Sequence, residues 1–111
     1  MTTMRMERER LIVATSDNGW TVAGEIDAST APTLDGALRT LPAGGGPVVV
    51  DVSEVTFIDS SGLRVLISLA GRADDTGRSV ILGQPSPTVT RLLEITGLTQ
   101  MFGLASDPAD T

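Results

Sequence analysis

The run Phe57-Ile58-Asp59-Ser60-Ser61-Gly62-Leu63 sets an acid, two hydroxyls and a glycine between an apolar stretch and an amphipathic one. A helix beginning there presents unpaired backbone N–H groups. Such a start can be capped by serine or aspartate, and it can also accommodate an anion or a phosphate. Asp59 can orient the Ser60 hydroxyl, help to accept its proton, or serve as a simple cap. The carboxylates Asp27, Asp51 and Asp59 admit a third chemistry, since two acids suffice for some hydrolytic reactions. Asp51 sits among valines, which weighs against that use.

The elements on either side must position these groups. Val48-Val49-Val50-Asp51-Val52 is an apolar, β-branched run of the kind that fills a strand covered on both faces. Leu63, Leu66, Ile67, Ala70 and Ala73 recur at helical spacing and predict a helix at about 61–74. Leu11-Ile12-Val13-Ala14 reads as a first strand, Asp17-Asn18-Gly19 as a tight turn, and Trp20 to Ala23 as the antiparallel return. Ser29 or Thr30 caps a first helix, with Pro32 in its opening turn and Leu34, Leu38 and Leu41 on one face.

Gly44-Gly45-Gly46 invites comparison with a phosphate loop, but no Lys-Ser/Thr pair follows and the loop feeds a strand. It reads as a connector. Ser79-Val80-Ile81-Leu82 is a further strand. Ser86-Pro87 opens the last helix, with Val89, Leu92 and Leu93 on its apolar face and Gly97 at its end. Residues 100–104 add edge structure. The order β-β-α-β-α-β-α predicts an α/β sandwich with a mixed sheet of four to five strands and three to four helices. One domain is expected at 10–105, after a flexible segment at 1–9 and before a disordered polar tail at 106–111.

The 111 residues include no cysteine and no histidine, and all eight basic residues are arginine. That composition removes disulfides, the usual zinc ligands, cysteine nucleophiles, imidazole bases and a P-loop lysine. A net charge of −6 argues against direct nucleic-acid binding. It suits a basic partner surface, and plain solubility explains it as well. No apolar stretch approaches the roughly 20 residues of a membrane span. Residues 1–10 lack the apolar core of a secretory signal, so a cytoplasmic protein is expected.

Four segments carry a wider resemblance: Gly24-Glu25-Ile26-Asp27 with Ser29-Thr30-Ala31-Pro32-Thr33-Leu34; Asp51-Val52-Ser53; Asp59-Ser60-Ser61-Gly62-Leu63; and Arg91-Leu92-Leu93-Glu94-Ile95-Thr96-Gly97-Leu98. In this order and spacing the chain resembles the STAS domains, specifically the stand-alone bacterial anti-sigma factor antagonists. The resemblance implies that a protein kinase modifies Ser60, the hydroxyl following the motif's aspartate, with Ser61 the weaker candidate. It implies a partner surface around Asp27, with Glu25 the weaker acid, together with Asp59, Ser61, Gly62 and Arg64. Asp27 can equally cap the turn before Ser29. Gly62 is expected to turn the backbone tightly and leave room for a partner's active site. Arg64 is a departure, because many kinase-regulated relatives have glycine there.

The implied partner is an anti-sigma factor that is also a serine kinase holding ATP, and a serine phosphatase resets the cycle. The unphosphorylated chain captures the anti-sigma factor and the phosphorylated chain releases it. On this reading the chain has no catalytic residue, cofactor or metal of its own and needs to be no more than a monomer when free. A STAS module acting as ligand sensor or scaffold in a stress-signalling complex, without phosphorylation, is the competing expectation.

Overall fold

The computed structural model describes residues 3–5 and 10–105. The two-residue turn Asp17-Asn18 folds β2 (Leu11–Ser16) onto β3 (Gly19–Ile26), with Ser16 opposite Gly19. After β3 come α1 (Ala31–Ala37), β4 (Val48–Ile58), α2 (Ser60–Asp74), β5 (Val80–Gly83), α3 (Pro87–Thr96), a 3-10 turn (Thr99–Met101) and β6 (Gly103–Ala105). β1 (Thr3–Arg5) pairs antiparallel with β2.

The sheet therefore has six strands in sequence order, not four or five. The strand beyond those expected is β1, which lies within the segment expected to be flexible, while β6 supplies the edge structure expected near 100–104. Residues 1–2, 6–9 and the expected tail at 106–111 lie outside the described residues.

From β3 to β6 the strands are parallel, and every crossover steps in the same direction along the sheet. Right-handed crossovers then place α1, α2 and α3 on one face. Val13, Trp20, Val22, Val48, Val50, Val52 and Leu82 are buried on that face, in one cluster with Leu34, Leu66, Leu69 and Leu93. On the other face Ile12, Ala14, Val49, Asp51 and Ile81 are half-buried and Thr21 is exposed. The valine run thus belongs to a sheet covered on one face only. Alternation within it was masked because Val49 has the same β-branched character as its buried neighbours.

β4 is also longer than the run 48–52, reaching Ile58. Its pairing with β3 slips twice, between Thr21 and Ala23 and between Gly24 and Glu25, each time giving β4 one extra residue. Buried positions consequently shift from a spacing of two (Val48, Val50, Val52) to three (Val52, Val55, Ile58). Asp51 holds the first bulge, its Oδ1 accepting from the Ser53 amide at 2.9 Å and the Ser53 hydroxyl at 2.7 Å. β5 pairs with β4 only as far as Asp51. Beyond it the buried Ser86 hydroxyl donates to the Val55 carbonyl at 2.7 Å. Ser86 occupies the N-cap position of α3 but makes no side-chain capping bond, because its hydroxyl is used on β4.

Candidate functional site at the carboxyl ends of β3 and β4

β3 and β4 end side by side, with Glu25 opposite Phe57 and Ile26 opposite Ile58. The ladder continues one step further, the Asp59 amide donating to the Ile26 carbonyl at 3.1 Å. Asp27 and Asp59 therefore leave adjacent parallel strands at the same end of the sheet, where ligands of open α/β sheets gather. Asp51 lies eight residues back along β4, a span matched by the six steps of β3 from Thr21 to Asp27, roughly 20 Å at strand rise. The three acids do not converge as a hydrolytic set.

Asp59 is extended (φ −118°, ψ −170°) and caps α2, its carboxylate accepting from the Ser61 amide at 2.8 Å. Ser60 is the first helical residue and is exposed. Its hydroxyl makes no hydrogen bond with the described residues. Ser61 is half-buried behind it. Gly62 points inward, which corrects its expected place on the partner face. A Cβ there would lie 2.4 Å from Ile26 Cγ2 and 2.9 Å from Ile58 Cγ1. The glycine lets the first turn of α2 sit against the ends of both strands. Arg64 is exposed one turn further along.

Around Asp27 the hydrogen bonds are dense. Oδ1 accepts from the Ser29 hydroxyl at 2.7 Å, the Ser29 amide at 2.9 Å and the Thr30 amide at 3.1 Å. Oδ2 is ion-paired with Arg10. The Ser29 hydroxyl, the Arg10 guanidinium and the two amides hold the Asp27 carboxyl well below the usual carboxylate range, against a smaller opposing effect of burial. Asp27 is thus a turn cap, as the sequence allowed. Thr30 occupies the N-cap position of α1 but does not cap it. Its fully buried hydroxyl donates to the Glu25 carbonyl at 2.8 Å and accepts from the Asp27 amide at 2.9 Å. Glu25 is more loosely held, 3.4 Å from Arg10 with its side chain 48% exposed.

Sequence reasoning missed two residues here. Arg10 reaches the site because the Glu25 amide bonds its carbonyl at 2.8 Å. Only glycine at 24 permits that approach: φ is +105°, and a Cβ would fall 2.1 Å from the Arg10 oxygen. Phe57 stands 47% exposed opposite Glu25. A period of two counted from Val55 would bury Phe57, but the second bulge turns it outward.

Residues 15–104 match the family described as "Mlab, STAS domain". The anti-sigma-B factor antagonist of Listeria monocytogenes is 38% identical over 82 residues, covering 73% of this chain and 72% of that protein. The chain belongs to the STAS domain family, among the anti-sigma factor antagonists. The anti-sigma-B factor antagonist of Bacillus subtilis is 32% identical over 85 residues, 77% of this STAS chain and 78% of its relative. The crystal structure of an anti-sigma factor antagonist from Mycobacterium paratuberculosis superposes with a TM-score of 0.68 at 27% identity, covering 90% of this chain and 87% of that one. Among the described residues of this STAS domain, no helix is long and apolar enough to cross a membrane.

Proposed function

We propose that this STAS domain binds an anti-sigma factor with serine kinase activity while Ser60 is unmodified, and releases it once Ser60 is phosphorylated. The cycle frees and recaptures a sigma factor in the cytoplasm, with a serine phosphatase as the resetting partner. The chain acts as substrate and binding module, not as the enzyme. The observation that carries this reading is the placement of Ser60. Its hydroxyl is exposed and without a bond among the described residues, beside an aspartate already committed to the Ser61 amide. Removing or modifying it leaves the cap of α2 in place.

Phosphorylation adds about −1.5 to −2 charge and three acceptor oxygens. At the first residue of α2 that charge is tolerated by the helix. Next to Asp59, and on the strand ends that carry Asp27 and Glu25, it opposes a partner surface suited to a neutral hydroxyl. The partner surface runs from Ser60, Ser61 and Arg64 across Asp59 and Asp27 to Glu25 and the exposed Phe57 ring. Phe57 supplies an apolar anchor among charges, the composition of an interface centre.

Incubation with ATP and a candidate anti-sigma kinase, followed by mass mapping, tests the acceptor. One phosphoryl group on Ser60, absent from Ser60→Ala, is the expected result. Modification at another hydroxyl, or stable binding with no modification, contradicts it. A sensor reading draws on a cleft of about 440 Å³ at the opposite end of β3, lined by Val13, Trp20, Leu41 and Thr40 among others. A change in Trp20 fluorescence on adding a small molecule would favour that reading.

A further inference from the structure

Arg64 lies four residues after Ser60 on α2, and both side chains are exposed. Residues i and i+4 of an α-helix stand one above the other, with Cβ atoms about 5–6 Å apart. Helical side chains lean toward the N-terminus, so Arg64 extends over the first turn, where Ser60 sits. Arg64 makes neither a hydrogen bond nor an ion pair with the described residues. Several other arginines are committed, although Arg91, exposed on α3, is as free of partners among the described residues as Arg64. Arg10 is held by Asp27, Glu25 and Ser29, while Arg72 and Arg78 bond the carbonyls of Leu38, Gly46 and Pro42.

We infer that Arg64 is the counter-ion of the phosphate on Ser60, a positioning residue that draws the phosphate along α2 and away from the Asp59 carboxylate. This rests on the phosphorylation proposed above and adds to it a role within the chain for Arg64. A guanidinium presents paired donors that match two oxygens of one phosphate. Asp59, and further off Asp27 and Glu25, disfavour the second negative charge of the phosphate, whereas Arg64 favours it. Arg10, neutralised by its own acids, contributes little.

The test uses the full chain synthesised with phosphoserine at position 60, so that no kinase is required, and follows the phosphate by phosphorus NMR against pH at low salt. Arg64→Gln is expected to raise the titration midpoint by about 0.3 pH unit, the size of an i,i+4 pair. Arg64→Lys, which keeps the charge, should stay near the parent value. An unchanged midpoint in Arg64→Gln overturns the inference, as does an equal shift in Arg64→Lys. Failure of kinase mapping would overturn the acceptor assignment separately, because this titration does not depend on any kinase.

Discussion

The Asp59 amide donates to the carbonyl of Ile26 at 3.1 Å, so the parallel ladder of β3 and β4 runs one residue past Ile58. That bond sets Asp27 and Asp59 at neighbouring strand ends. Each carboxylate accepts the amide two residues on, from Ser29 at 2.9 Å and from Ser61 at 2.8 Å. The two turns share a design but differ in what they leave free. The residue directly after Asp27 is Ala28, and the hydroxyl two residues on, Ser29, is bonded to the carboxylate. Around Asp59 the Ser60 hydroxyl is left to the surface.

That difference separates structure from signalling at adjacent residues. Asp59→Ala removes the cap of α2 and is expected to cost about 1 kcal/mol. Ser60→Ala is expected to stay within about 0.5 kcal/mol of the parent. Denaturant midpoints of the two variants measure this directly. A Ser60→Ala loss matching that of Asp59→Ala would make Ser60 a structural cap.

Gly62→Ala drives a methyl group against Ile26 and Ile58, both buried. A loss of about 1–3 kcal/mol is expected from the overpacking. In an Ile26→Ala background the same change should cost far less, because its nearest obstacle is gone. Equal costs in both backgrounds would place the strain elsewhere.

Stability at acid pH should report on Asp27. Its carboxyl titrates lower in the folded chain than in the unfolded one, where aspartate titrates near 3.9. The stabilisation is therefore complete above about pH 4 and is lost as pH falls below it toward the folded value. Asp27→Asn should lower the thermal midpoint at pH 7 and flatten its decline between pH 4 and 2. A decline as steep as the parent's would assign the acid sensitivity to other carboxylates.

Phe57→Ala is expected to leave stability nearly unchanged, since the ring is 47% exposed. It should weaken anti-sigma factor binding by about tenfold or more, as loss of an interface anchor does. Unaltered affinity would remove Phe57 from the partner surface.

Much of this site was legible in the sequence, and the failures share a cause. The order of strands and helices, the helix start at Ser60 and the capping role open to Asp27 follow from short-range rules: apolar period, turn chemistry and capping. What escaped depends on register. The two bulges of β4 decide that Phe57 faces out and that Val55 faces in, and nothing local to either residue announces them. Arg10 joins Asp27 only through the pairing of β2 with β3. At Gly62 and Ser86 local rules offer only the commonest roles, room for a partner and a helix cap. Tertiary packing instead turned Gly62 toward Ile26 and used the Ser86 hydroxyl on the carbonyl of Val55. The one-sided covering of the sheet could be reached from topology once all crossovers were known to step the same way.

A switch at Ser60 stands or falls on the affinity of the anti-sigma factor for the chain with serine and with phosphoserine at position 60. The phosphate is expected to weaken binding by about 100-fold or more, a few kcal/mol of repulsion and desolvation, with the fold unchanged. Equal affinities for the two forms would contradict it.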